Sequence, residues 1–329
     1  MLKKGVNMFL GVMIFFVGST SIYGLSGTSI LGGGIKSLSL GRTGVGNYVA
    51  SDVIVMNPAW ISAAPESSTS IGTTFFTPKI ESKISITGVV DSGYQKNDMG
   101  AINLPNISYI NKVNSNWAVG IGMYTDAASG ADFSQVNTQY QSFFQNLDTF
   151  FGMDCLVGSL SYQQGKFSYG GSVYMSSGML YNSVINATTQ KQEAAFSTAG
   201  SNRYLVGVGY QLSDKVSVGA SYLSKLGMNF KDGLVKVVDD KYVRSDQTIE
   251  DPSRVSMGIS IDWDIFKLNT DVHLSNWSDT TMKDQGWKDG TMVCVGGEYF
   301  VKPEVLSLCF GYNYSTDVVS EGSNISFEN

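Results

Sequence analysis

The sequence contains one histidine, His273, two residues from Asp271, so a hydrolase built on a Ser-His pair is the first chemistry to test. Serines are abundant, but none sits in a nucleophile-elbow context that would present an activated oxygen. A polar-face histidine satisfied by the neighbouring carboxylate is the simpler reading. There is no Cys-x-x-Cys, His-Glu-x-x-His, glycine-rich phosphate loop or calcium-loop pattern, so the residues imply no catalytic set, no metal and no cofactor. What remains is binding or passage of a solute, or a structural or adhesive role.

A different constellation sits near the N-terminus, in residues 40–60. Gly41, Gly44 and Gly46 permit positive φ and close backbone approach, which suits a segment confined in a small space. Asn57-Pro58-Ala59 reads as a helix start: the asparagine accepts a bond from a first-turn amide, and proline at the first position lacks a donor that would be orphaned anyway. Pro65 ends that short helix. The rest of the chain is organised around this stretch.

These elements in this order, Gly41-Arg42, Gly44-x-Gly46, Ser51-Asp52 and Asn57-Pro58-Ala59 ahead of a β-rich remainder, resemble the N-terminal plug of the FadL/TodX family, outer-membrane transporters of long-chain fatty acids and aromatic hydrocarbons. The likeness continues through Asn229-Phe230-Lys231, residues 252–271, Trp277-Ser278, Gly286-Trp287-Lys288-Asp289, Gly297-Glu298-Tyr299 and Gly311-Tyr312. It implies an all-β, transmembrane antiparallel barrel of the family's fourteen strands, with a plug inside the lumen. Gly41, Arg42, Gly44, Asn57, Pro58 and Ala59 would act in plugging and gating. It also implies a kinked strand beside Asn57-Pro58-Ala59 and a sideways exit through the wall. The chain departs from the family at its end: Ser326-Phe327-Glu328-Asn329 falls where a polar loop is expected, so C-terminal truncation is the expectation here.

Composition agrees with a barrel. Only 15% of residues are charged, against about a quarter in soluble domains, while 37 are glycine and 12% are aromatic. A soluble sandwich or lectin shares the glycine and aromatic usage. The net charge of −6, or −8 once Lys3 and Lys4 leave with a leader, excludes nucleic acid as partner, because phosphates need a basic surface. Lys3-Lys4, the apolar residues 6–17 and the small residues that follow form an export signal over residues 1–24. That run is too short to span about 30 Å of hydrocarbon. The expected division is signal 1–24, plug 25–66 and barrel 67–329, the barrel incomplete at its C-terminus. The expected location is the outer membrane of a diderm bacterium. The expected partners are a hydrophobic small molecule and outer-membrane lipid, with the chain acting as a monomer.

Thirteen strand-like segments alternate with period two, including residues 253–263 and 267–275. In the first, Val255, Met257, Ile259, Ile261 and Trp263 share one face and Ser256, Gly258, Ser260 and Asp262 the other. Short turns at residues 114–116, 164–165, 213–214, 264–266 and 302–303 alternate with long loops, as outer-membrane barrels require. Tyrosines and tryptophans near strand ends, among them Trp117, Tyr124, Tyr162, Tyr174, Tyr210 and Trp263, suggest interfacial girdles. Residues 178–202 read as a loop.

The loop over residues 127–152 carries an apolar stripe at helical spacing: Val136, Tyr140, Phe143, Phe144, Leu147, Phe150 and Phe151. It either caps the barrel mouth or offers a groove for hydrophobic ligand. Cys155, Cys294 and Cys309 are odd in number and do not form a disulfide framework, although Cys294 and Cys309 lie on strands flanking one turn.

Overall fold

The computed structural model describes residues 33–318 except 78–80, 87–89, 137–140, 142–146 and 303–304. The export signal, Tyr140, Phe143 and Phe144 lie outside the described residues. Among the described residues fifteen strands follow a short inner segment: β1 Ser67–Phe76, β2 Glu81–Ile86, β3 Val90–Lys96, β4 Ile102–Lys112, β5 Trp117–Asp132, β6 Asp148–Gln164, β7 Phe167–Ile185, β8 Gln192–Ser213, β9 Val216–Leu223, β10 Leu226–Val238, β11 Lys241–Asp251, β12 Arg254–Asp262, β13 Phe266–Ser275, β14 Gly290–Lys302 and β15 Leu306–Ser315.

Eleven of them form one antiparallel sheet in the order β1-β4-β5-β6-β7-β8-β9-β12-β13-β14-β15; β2-β3 and β10-β11 are separate hairpins. The two outer strands come together on the first helix, α1 (Ile35–Ser39). Ile35 packs on Gly72 of β1, and Lys36 pairs with Glu298 of β14 and reaches Ser307 of β15. The sheet is therefore curled around the inner segment.

The faces decide between sandwich and barrel. Val255 and Met257 are 42% and 50% exposed, while Ser256 and His273 are 5% and 2% exposed. Apolar side chains point outward and polar ones inward, the inverse of a soluble sandwich and the pattern of a lipid-facing wall. Among the described residues no helix is long and apolar enough to cross a membrane.

The outward apolar band ends at a definite level. On β8 it runs from Leu212 through Val208 and Val206 to Tyr204, and then gives way to Asn202, Gly200 and Thr198. On β5 and β6 the same change falls at Thr125 and Asp154, whose side chains bond at 2.7 Å. β7 is 19 residues long, about 60 Å at roughly 3.3 Å per residue. Even at the tilt of about 35–45° usual for barrel strands, it rises above an apolar band of about 25 Å. The upper halves of β5 to β8 therefore stand beyond the bilayer.

Several expectations change. Residues 178–202 are not a loop: β7 and β8 pair through to Ile185 and Gln192. Pairing with a neighbour overrides the loop-like serines and threonines there. β3 and β11 are additional strands, the latter charged at Lys241, Arg244, Asp246 and Glu250 and formed through its pairing with β10. The apolar stripe is not helical where it is described. Phe150 and Phe151 belong to β6, so they face opposite ways, and Leu147 immediately precedes that strand.

Tyr124 and Tyr174 are buried inside rather than in a girdle, whereas Trp117 with Tyr162 and Phe167 with Tyr210 pack at 4.7 and 4.5 Å on the short-turn rim. Cys294 faces Asn313 and Cys309 faces Glu298 across the ladder, four positions apart, and both are free thiols.

Candidate functional site

The interior has three levels, read along β7 from its short-turn end: Gly170, Tyr174 and Gly178.

At the lowest level the inner segment lies on bare backbone. A Cβ at Gly170 would strike the main chain of Pro58 and Ala59. The same holds at Gly219 against the Val45 carbonyl, at Gly258 against the Gly46 amide, and at Gly296 and Gly311 against Leu40 and Gly41. Glycine in a strand interior marks such close approach. Gly41 itself has φ 66 at the end of α1, a conformation glycine adopts without strain.

Hydrogen bonds fix the register of this contact. Asn57 is fully buried: its Nδ2 donates to the carbonyls of Val45 (2.9 Å) and Val208 (3.0 Å), and its Oδ1 accepts from the Ala59 amide (3.2 Å). The helix start expected at Asn57-Pro58-Ala59 is present, as a 3₁₀ turn over Pro58–Ala63. Trp60 Nε1 donates to the same Val45 carbonyl at 2.9 Å.

The Asp271 carboxylate accepts from the amides of Gly44 (2.7 Å) and Val45 (2.9 Å), a small anion nest. It is not the partner of His273, whose Nδ1 instead meets Ser256 Oγ at 2.8 Å. The Asp271 carboxylate is engaged by the inner segment instead. β7, beside Pro58 and Ala59, pairs with β8 without a register shift from Phe167 to Ile185.

Wall serines supply the remaining partners. Ser161 donates to the Ala59 carbonyl (2.9 Å), Ser172 to Ile54 (2.8 Å) and Ser221 to Met56 (2.8 Å). These residues were not singled out from the sequence. Their signal is alternation on the polar faces of strands, which reads only as "polar" without a partner in view.

Two groups of the inner segment are charged and buried. Burial raises the Asp52 carboxyl above the ordinary carboxylate range, although it accepts from the Ser37 amide at 3.3 Å. Arg42 is 5% exposed, sits at φ 73, and its Nη1 has no partner among the described residues. Burial lowers its guanidinium to about 10, and Arg254 pushes the same way. A non-glycine residue in the left-handed region costs about 1–2 kcal/mol.

The middle level is a charged belt. Arg203 is wholly buried, pairs with Asp126 and Asp251, and lies over the Tyr174 ring at 5.3 Å. A register shift between Thr125 and Ala127 turns Asp126 inward to meet it.

The upper level is apolar. Phe151, Met153, Leu180, Met228, Phe230, Ile249, Trp277, Met282 and Trp287 pack together, with Phe151 edge-on to Phe230 at 6.1 Å. Leu147 joins a smaller cluster with Ala131, Phe133 and Val136 at the mouth. Phe150 is half-exposed on the other face of β6. The predicted groove residues thus divide between two clusters and the outer face. Among the described residues no three His, Cys, Asp or Glu side chains come together to hold a metal ion.

The sequence profile described as "Outer membrane protein transport protein (OMPP1/FadL/TodX)" matches residues 39–326. The chain belongs to this family. Among solved structures, the toluene transporter TodX of Pseudomonas putida is 17% identical with TM-score 0.61, over 88% of this chain and 84% of that one. The toluene transporter TbuX of Ralstonia pickettii is 17% identical with TM-score 0.62, over 87% and 86%. A TodX deltaS2S3 mutant, a monoaromatic hydrocarbon channel, reaches TM-score 0.65 at 17% identity, over 90% and 86%. No curated protein matches the chain significantly. The fold of this FadL/TodX chain is accordingly the outer-membrane β-barrel, and its family is one of transport proteins.

Proposed function

We propose that the chain carries hydrophobic compounds, long-chain fatty acids or aromatic hydrocarbons, across the outer membrane by passive diffusion through a plugged barrel. The supporting observation is the buried apolar cluster of Phe151, Phe230, Trp277 and Met282 inside the barrel, separated from the inner segment by the charged belt around Arg203. The toluene transporters TodX and TbuX share the fold.

A hydrophobic solute is held back by the polar surface of the outer leaflet, and an apolar path removes that barrier. The cluster of Leu147, Phe133 and Val136 collects solute at the mouth, and Tyr140, Phe143, Phe144 and Phe150 are proposed to serve the same capture step. The cluster of Phe151 and Phe230 then takes it inside. Burial of each methylene contributes about 0.8 kcal/mol, so a long chain leaves only when its pocket is disturbed. The inner segment is the stopper that does this: Gly41, Arg42, Gly44, Asn57, Pro58 and Ala59 set its seat, and its displacement opens the way down. The protein acts as a monomer after removal of its leader, with membrane lipid as its other partner.

Uptake of labelled fatty acid and labelled toluene by cells carrying or lacking the gene tests this reading. Gene-dependent uptake of at least one is expected; equal uptake of both with and without the gene, at verified surface levels, overturns it.

A further inference from the structure

The outer face of β6 to β8 changes character twice above the lipid-facing band. Cross-strand pairs follow one another upward: Asp154 with Ser177, then Met179 with Thr198, then Tyr181 with Phe196. The lowest pair is polar, and Asp154 accepts from Thr125 Oγ1 at 2.7 Å. The highest is aromatic, with Phe196 64% exposed. Phe150, opposite Tyr181 on β6, continues that row, its ring 3.0 Å from where a Cβ on Gly152 would stand. Apolar side chains thus return on the outside after a polar interval, while the inner faces of the same strands carry the Phe151 and Leu180 cluster. An exposed apolar patch with a polar rim marks an interaction site.

Height and charge decide what meets these rings. Met175 is the last residue of the apolar band on β7, and Tyr181 lies six positions further on, about 20 Å along a strand that rises roughly 3.3 Å per residue. At a tilt of about 35–45° the rings stand about 15 Å above the edge of the band. Phospholipid head groups add only about 5–8 Å on each side of the hydrocarbon, so a lipid that reaches the rings has a larger head. Phosphate-rich heads are held by clusters of Lys and Arg. The outward positions from Phe150 to Asp154, Ser177 to Tyr181 and Phe196 to Asn202 carry neither. Arg244, which reaches the Ala194 carbonyl one level higher, is matched by Glu193. A sugar ring fits what is there: its flat C–H face packs on an aromatic ring, and its hydroxyls bond to carboxylates and hydroxyls. Tyr181 and Phe196 supply the first, and Asp154, Ser177 and Thr198 the second. Gly200 adds no side chain between them.

We propose that the outer face of β7 and β8, centred on Tyr181 and Phe196, binds the saccharide chain of an outer-leaflet glycolipid, whose acyl chains lie on the continuous apolar band below, around Met175 and Val206. One lipid molecule thereby spans both surfaces and holds the tall part of the wall at a fixed height in the leaflet. The assignment concerns the outside of the wall and stands independently of what the interior carries.

The test uses the full-length protein in neutral detergent and two purified probes, a lipopolysaccharide bearing its core oligosaccharide and the lipid A released from it, with binding followed by native mass spectrometry. Wild type is expected to bind the core-bearing form about tenfold or more tighter than lipid A. Phe196→Ala and Tyr181→Ala should each bring that ratio towards one while leaving lipid A unchanged, and Phe196→Tyr should keep most of it. Phe196 is largely exposed, so Phe196→Ala decides the matter if Tyr181→Ala does not fold. Equal binding of the two probes by wild type, or an unchanged ratio in Phe196→Ala, overturns the assignment. The free core oligosaccharide should compete only at about tenfold or higher concentration, because it lacks the acyl chains; competition at equal concentration would make a soluble glycan the occupant and overturn the lipid. Dimers in the same spectra that Phe196→Ala abolishes would make a second copy of the chain the occupant, and would overturn it as well.

Discussion

The same strands build the lower and upper halves of the interior on opposite principles. Below Tyr174 the wall offers glycine and serine, and the inner segment lies on it main chain to main chain, with Asn57, Trp60 and Asp271 locking the alignment. Above the Arg203 belt the wall offers Phe, Met, Leu and Trp, in contact through side chains alone. Backbone contact with directed hydrogen bonds tolerates one arrangement. Methionine and aromatic side chains accept many, because they re-pack at low cost. The lower half is therefore a seat with a fixed shape, and the upper half is an apolar cluster able to re-pack.

Substitutions that exchange the character of the two halves should expose this difference. The largest effect is expected from Gly170→Ala, whose methyl meets the Pro58 and Ala59 backbone, set against Gly178→Ala, whose methyl meets only Met228 and the Phe230 ring. The first should lower stability by about 3 kcal/mol and the second by under about 1 kcal/mol, read as thermal unfolding in detergent. Equal effects would break the comparison.

Next is Asn57→Ala, which uncaps Ala59 and leaves the Val208 carbonyl without its side-chain donor. About 2 kcal/mol of stability should be lost, with slower uptake at equal surface levels. Phe230→Ala in the upper half should weaken binding of an apolar probe about tenfold while the barrel still folds, as seen by its heat-modifiable mobility on a gel.

The smallest effect concerns Asp52. Burial raises its carboxyl in the folded state, so its contribution to stability is fully present below the unfolded pKa and is lost as pH rises through the folded pKa. Asp52→Asn should therefore be at least as stable as wild type at neutral pH, and the difference should shrink on acidification. A variant less stable at neutral pH would show that the charge is needed.

Local rules made part of this legible in the sequence. Alternation in residues 254–275 gave the correct faces, the short turns marked one end, and Asn57-Pro58 announced a capped turn. Other features depend on partners far along the chain. β7 and β8 extend through serine-rich sequence because each strand's backbone is completed by the next. Leu147, Phe150 and Phe151 carry a spacing shared by a helix and by the start of a strand, and the pairing of β6 with β5 and β7 decides between them. Asp126, Arg203 and Asp251 meet only because a register shift at Thr125 and Ala127 turns one of them inward. The neighbours Asp271 and His273 suggested a pair, yet each found a partner elsewhere, one in the inner segment and one across the ladder.

The account stands on the proposal that the apolar cluster inside the wall receives solute. Crystals of the protein soaked with a bromine-labelled alkyl compound locate it directly by anomalous scattering. The expected result is a bromine peak enclosed by Phe151, Phe230, Trp277 and Met282, above the Arg203 belt. Peaks confined to the outer surface around Val255, Met257 and Val206, with none inside, would contradict it.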